Sequence, residues 1–203
     1  MSDASALALV RTILNHYERQ PANESAARRE VERVLGLLRA IPTAHVPLAP
    51  SAHPIVRHLA PALSAPAPHA AAVVAELGAI GPRLPWRYAY AERADAPDLG
   101  DRIAFAEIVG PDAPLRSDTV CLGLTLIAPN TLYPDHRHPA IELYCVLSGT
   151  ATWSAGGRAA LVPPGTFVLH PSGVSHAMET HAEPLLAVYT WSGDDVRTPS
   201  AYS

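Results

Sequence analysis

The sequence contains no lysine, and its 15 basic residues other than histidine are all arginine. No side-chain amine is available to form a Schiff base with a carbonyl substrate or to tether pyridoxal phosphate, so those reaction classes are excluded. The accompanying wealth of alanine, proline and arginine is what high-GC coding produces. Cysteine is limited to Cys121 and Cys145, with no Cys-x-x-Cys pair. A disulfide framework and a thiolate zinc site are not expected; a reducing compartment and packing roles for the two thiols are. Charged residues make up 17% of the chain and the net charge is −4, without long blocks of one sign. Such a chain has no electrostatic footprint for nucleic acid or an anionic membrane. No stretch approaches the ~20 consecutive apolar residues of a membrane span. The N-terminus lacks the basic start and unbroken apolar run of a signal peptide. A cytoplasmic location is expected.

What the chain does have is 203 residues, 48% of them apolar, enough for one sizeable core with a smaller appendage. Leu7, Val10, Ile13, Leu14 and Tyr17 fall at helical spacing between 4 and 19, with Ser2 or Asp3 as cap. A second helix is expected over 24–40, with Ala27, Val31, Val34, Leu35 and Leu38 on one face and Pro42 as its stop. The two read as an αα-hairpin lying against the rest of the protein. The proline-rich stretch from 42 to 69 predicts irregular structure with short helical pieces near 55–63 and 69–79. His45, His53, His58 and His69 fall in this region without ligand spacing and read as solvated or structural.

From Pro85 the period changes to two. Trp86 to Tyr90 alternates aromatic with small or charged residues. Strands are expected over 103–109, 120–128, 141–147, 150–154, 158–162, 166–170, 175–179 and 185–191. Many short strands between Gly, Pro and Asp clusters predict an antiparallel sandwich or barrel over 83–203, with a helical region over 1–82 packed on it.

The chemistry concentrates between 133 and 176. His136, His138, Glu142 and Tyr144 are all of even number, and in a strand alternate side chains share a face, so the pattern aims all four into one interior. Leu143, Cys145 and Leu147 then face the other way, as does Arg137. His176 follows a Pro-x-Gly turn in a second segment. Imidazoles and a carboxylate suit a single divalent transition metal ion (Zn, Fe, Mn, Co or Ni), and three or four protein ligands leave positions open. A buried ionisable cluster is costly without a partner, which a metal supplies. The ordinary alternative is a set of histidines lining a polar barrel mouth.

The spacing His136-x-His138-x3-Glu142-x6-Gly149, followed by Gly165-x5-Pro171-x-Gly173-x2-His176, resembles the two motifs of the cupin superfamily. That implies a mainly β fold, a jelly-roll β-barrel here carrying an N-terminal α-helical extension. Asn130 stands where the first motif usually opens with Gly, and Thr180 where the second usually ends in Asn; neither is a ligand. More narrowly, LIAPNTLYPDHRHPAIELYCVLSG resembles the cupin-type dimethylsulfoniopropionate (DMSP) lyases, with a Tyr shortly before His-x-His and Glu-x-Tyr after it. The resemblance extends to the N-terminal helices, to Trp86-x-Tyr88 and to Tyr189-Thr190-Trp191. It implies a carbon–sulfur lyase that splits DMSP into dimethyl sulfide and acrylate by base-catalysed β-elimination. His136, His138, Glu142, His176 and Tyr144 are then the metal ligands. A phenol is a poor base at neutral pH unless a cation favours its ionised form. Tyr144 becomes the candidate base, with Tyr133 as a second catalytic phenol. Trp191, Trp86 and Tyr88 are candidates to receive the sulfonium on aromatic faces.

Each assignment has a plainer reading. Tyr144 could be a core phenol bonded to a ligand, and the three aromatics could be barrel packing. His170, ahead of the Pro-x-Gly turn, reads as structural and His181 as solvated. Two other functions compete with the lyase: a metal-dependent dioxygenase on the same ligand set, against which the Glu-x-Tyr pairing argues, and a non-catalytic small-molecule-binding cupin. The expected partner is a small-molecule substrate, and exposed barrel edges with an added helical hairpin suit a homodimer.

Overall fold

In the computed structural model, the residues described are 3–20, 22, 24–41, 52–88 and 90–203. His45, the expected stop at Pro42 and the expected cap at Ser2 lie outside them. Helix α1 spans Asp3–Arg19 and α2 spans Ser25–Arg39, close to the expected bounds. A 3₁₀ turn at Pro54–His58 runs into α3 (Leu59–Leu63), and another at Pro68–Ala70 leads into α4 (Ala71–Ile80). The prolines open these segments at their first positions, where a missing N–H costs nothing. α1 packs chiefly on α4, more than on α2, so the expected hairpin is one side of a larger helical layer. No helix among the described residues is long and apolar enough to cross a membrane.

After the short α5 (Leu99–Arg102), the strands are β1 (Ile103–Gly110), β2 (Leu115–Arg116), β3 (Val120–Ile127), β4 (Leu132–Arg137) and β5 (Ile141–Ser148). They continue with β6 (Ala151–Ala155), β7 (Arg158–Val162), β8 (Phe167–His170), β9 (His176–Thr180), β10 (Leu185–Ser192) and β11 (Ala201–Tyr202). One sheet has the order β2-β1-β3-β10-β5-β8 and the other β11-β4-β9-β6-β7. The two face each other as a jelly-roll sandwich. Of the alternating stretch 86–90, the described residues form a single bridge, between Arg87 and Phe105.

The larger sheet is buried on both faces, which is why β3 reads as an unbroken apolar run, Val-Cys-Leu-Gly-Leu-Thr-Leu-Ile. Leu143, Cys145, Leu147, Leu122 and Leu124 point outward into one core with Ile13, Val34, Leu38 and Leu77 of the helices. Each such leucine, isoleucine or valine, fully buried, contributes about 1.5–3 kcal/mol. His16 ties the layers together: its Nδ1–H donates to the His69 carbonyl at 3.0 Å, leaving Nε2 to accept from the Cys145 thiol at 3.4 Å. Cys145 thus faces the helices, away from the even-numbered side chains of its strand. The opposite faces of the two sheets enclose a second core that includes Tyr133, Tyr144, Trp153, Met178 and Tyr189.

The two departures from the cupin motifs meet in one turn. Asn130 has φ 51°, the left-handed region that favours glycine and that asparagine tolerates best after it. The Thr180 hydroxyl accepts from the Thr131 N–H at 2.9 Å and reaches the Ala128 carbonyl at 2.6 Å, bracketing Asn130.

Candidate metal and active site

The site is built from four strands, two in each sheet. His136 lies on β4 and His138 just past its end, Glu142 and Tyr144 on β5, His176 at the start of β9 and Trp191 on β10. All are buried except Trp191, which is half-buried. One ligand atom each from His136, Glu142 and His176 falls within 4.8 Å of the others. His138 stands beside this group, with Nε2 at 3.0 Å from Glu142 Oε2, the same distance as His176 Nε2.

The backbone fixes how these rings present themselves. Nδ1 of His136 lies 2.8 Å from the Pro134 carbonyl, that of His138 3.0 Å from Ala140, and that of His176 2.9 Å from Val174. A carbonyl only accepts, so each Nδ1 carries a proton and each neutral ring keeps its Nε2 lone pair for the interior. In their neutral forms His138 and His176 would aim lone pairs at a carboxylate oxygen that also has only lone pairs to offer. A cation among them resolves the repulsion, and the donor set of imidazole nitrogens and one carboxylate fits a divalent transition metal.

The electrostatics agree with a site made for positive charge. Burial alone would raise the Glu142 carboxyl, but hydrogen bonds and charge from His138 and His176 outweigh burial and hold it well below the usual carboxylate range. Burial, reinforced by His176, pushes His136 down to about 3, so that ring is neutral near pH 7. The Tyr144 phenol is pushed well above its usual value, first by burial and then by the charge of Glu142. Burial and the neighbouring Tyr90 do the same to Tyr133.

A cavity of about 550 Å³ opens onto Glu142, Tyr144, Tyr133, Tyr88 and Trp191, and onto Tyr90, Glu107 and Tyr189 besides. Trp191 lays its ring on His138, centroids 4.3 Å apart, and its indole N–H donates to Glu142 Oε1 at 2.8 Å. Tyr133 is of odd number, yet it shares the interior with His136. An irregularity in the β4–β9 register between these two residues shifts the alternation, and the two rings stack 3.9 Å apart.

Trp86 is not part of the site. It is buried in the core beneath the helices, where its indole N–H donates to the Gly81 carbonyl at 2.8 Å. Trp86 and Tyr88 would share a face only in a continuous strand. With a single bridge at Arg87 the chain passes from the outer core to the cavity between them. His170 stacks on His176 with centroids 3.9 Å apart, and both its ring nitrogens lack a hydrogen-bond partner. His181, exposed, pairs with Thr152 at 3.0 Å.

Sequence reasoning missed Tyr90, whose hydroxyl bonds to that of Tyr133, and Glu107. For Glu107 a signal existed. In β1 the odd positions Ile103, Phe105 and Glu107 alternate with Ala104, Ala106 and Ile108, which face the helices, so the carboxylate is on the interior face.

The profile of the DMSP lyase family matches residues 26–187. The putative DMSP lyase DddL of Cereibacter sphaeroides is 33% identical over 150 residues, which cover 73% of this chain and 63% of the relative. The DMSP lyase DddQ of Ruegeria pomeroyi is 34% identical over 117 residues, 57% of this chain and 58% of the relative. The chain thus spans less than two thirds of either curated relative. The crystal structure of DddQ from Ruegeria pomeroyi superposes with a TM-score of 0.83 at 26% identity, covering 100% of this chain and 98% of that one. A cupin-type jelly roll with this helical layer and a sequence match over most of its length place the chain in the DMSP lyase family.

Proposed function

We propose that the protein is a metal-dependent lyase that splits DMSP into dimethyl sulfide and acrylate, with Tyr144 as the base. The observation that carries this reading is the meeting of two buried phenols, Tyr144 and Tyr133, in one cavity with Glu142, which itself groups with His136 and His176. His136, His138, Glu142 and His176 would hold the ion, with the Tyr144 oxygen beside it. A bound divalent ion supplies positive charge that attracts the substrate carboxylate, offsets charge developing at Cα and favours the phenolate form of a nearby tyrosine.

Burial and the charge of Glu142 oppose ionisation of Tyr144, so the phenol would act as a base only with positive charge held beside it. Tyr144 Oη then takes the proton from Cα. The C–H electron pair becomes the Cα–Cβ double bond as the Cβ–S bond breaks. Sulfur departs with the bonding pair as neutral dimethyl sulfide, leaving acrylate. Tyr133, held by the Tyr90 hydroxyl on one side and stacked on His136 on the other, orients the substrate and assists proton transfer. Tyr88 and Trp191 offer aromatic faces to the sulfonium.

The test is incubation of the protein, loaded in turn with Zn, Fe, Mn, Co or Ni, with DMSP. Release of dimethyl sulfide and acrylate in equal amounts is expected. No release with any of the five, or oxygen uptake on small diols or thiols instead, overturns the reading.

A further inference from the structure

Strand β3 carries a single hydroxyl, that of Thr125. Its neighbours Leu124 and Leu126 point into the core under the helices, so Thr125 falls on the interior face with Cys121 and Ile127. The side chain is fully buried, and Oγ1 has no hydrogen-bond partner. A polar group buried in this way costs free energy that valine, of nearly the same shape, avoids. Packing alone therefore favours valine at this position.

Register shows what the hydroxyl is near. Thr125 pairs with Ala187 of β10, and Tyr144 pairs with Tyr189, two residues further along the same strand. Thr125 and Tyr144 are thus diagonal neighbours across β10, with backbones on the order of 12 Å apart. Ala187 stands between them with only a methyl group, so a tyrosine and a threonine leaning over it can meet. Trp153 holds the Tyr144 ring edge-on, centroids 4.9 Å apart, and Tyr189 flanks it at 6.5 Å. Those contacts fix the ring and leave the phenol oxygen to its polar neighbours.

Two such neighbours act on that oxygen in opposite senses. Burial is the largest influence on the phenol and disfavours its ionised form; Glu142 adds to this by charge and as an acceptor, and the Thr125 hydroxyl works against both. The signs follow from what each group can offer. A carboxylate only accepts and so keeps the proton on the phenol, whereas a threonine hydroxyl can donate to an oxygen that has lost it. Thr125 is not among the residues that line the cavity, so any effect it has on the substrate passes through Tyr144.

We propose that Thr125 is a positioning residue for Tyr144. Its hydroxyl donates to the Tyr144 oxygen from the side away from the cavity and keeps that oxygen aimed at the Cα proton. The transferred proton ends on Tyr144 Oη, and Thr125 keeps its own throughout. The proposal rests on the lyase reading above, with Tyr144 as the base.

The test compares metal-loaded Thr125→Val and Thr125→Ser with the unaltered protein. Thr125→Val keeps the shape and removes the hydroxyl, so kcat for dimethyl sulfide release should fall on the order of tenfold, with KM and metal content unchanged. Its Tm should stay level or rise, because an unpartnered buried hydroxyl has gone. A slower reaction in a protein no less stable separates positioning from structural support. Thr125→Ser restores the donor and should keep most of kcat. Undiminished kcat in Thr125→Val, an equal fall in Thr125→Ser, or a lowered Tm in Thr125→Val would overturn the proposal. Undiminished kcat in Thr125→Val removes this proposal alone, whereas no dimethyl sulfide from the unaltered protein removes the lyase reading and this proposal with it.

Discussion

The indole N–H of Trp191 donates to Glu142 Oε1 at 2.8 Å, which leaves Oε2 to face His138 and His176. The tryptophan therefore sets the orientation of the carboxylate as well as lining the cavity. Trp191→Phe keeps the ring on His138 and removes only the donor. A ligand that loses such an outer partner typically holds metal 10–100-fold less tightly, about the loss expected here. Competition with a chromophoric chelator reads it, and an unchanged affinity would remove Trp191 from that role.

Tyr144→Phe separates chemistry from metal binding. Removal of a general base typically costs about 10²–10⁴ in rate. Dimethyl sulfide release should fall by that factor while bound metal, measured by elemental analysis, stays the same. Near-full activity would exclude Tyr144 as the base.

Tyr90→Phe removes the hydroxyl that bonds to Tyr133 and leaves the packing of Tyr90 against Tyr202 and Phe105 in place. A single hydrogen bond is worth about 0.5–1.5 kcal/mol, so a fall in kcat/KM of roughly two- to tenfold is expected. A loss as large as that of Tyr144→Phe would make Tyr90 a participant in the proton transfer.

Metal removal should also be visible in stability. An ion that binds only the folded chain stabilises it by about 2.7 kcal/mol at a free concentration of 100 times its Kd. Chelator should lower Tm, and adding back the ion should restore it. A Tm indifferent to both treatments counts against a resident metal.

Acid should destabilise the chelated protein before the ordinary carboxylates titrate. Burial and then His176 push both His136 and His170 down to about 3. An unfolded histidine titrates near ~6.5, so between that pH and about 3 the unfolded chain binds more protons than the folded one. Stability is therefore lost as pH falls through this window, by up to ~1.4 kcal/mol per pH unit for each such histidine. His176 acts in the opposite sense as pH rises: burial lowers it, but the hydrogen bond and charge of Glu142, with the Val174 carbonyl and Asp135, together raise it. Urea midpoints at pH 7 and pH 5 check this, and His170→Phe should flatten the difference.

Much of the fold and part of the candidate site were legible in the residues because both rest on periodicity. The even numbers of His136, Glu142 and Tyr144 and the apolar faces of α1 and α2 are local patterns that tertiary packing respected. Tyr133 and Trp86 were not legible in the same way. Alternation holds only while a ladder is continuous, and the β4 irregularity brings Tyr133 inside just as the single bridge at Arg87 sends Trp86 to the other core. Tyr90 was hidden for another reason. Its partner Tyr133 is 43 residues away, and no local signal links them.

The turn shared by Asn130 and Thr180 bears on how distant relatives are recognised. Cupin patterns are usually written as letters, with glycine at the first of these positions and asparagine at the second. This turn keeps the requirements beneath the letters, a left-handed backbone and a short polar side chain that closes the loop, while changing both spellings at once. A sequence pattern that demands both letters would pass over such a chain. One that asks for backbone handedness at the first position and a capping hydroxyl or amide at the second would retrieve it, with its His-x-His-x3-Glu spacing intact.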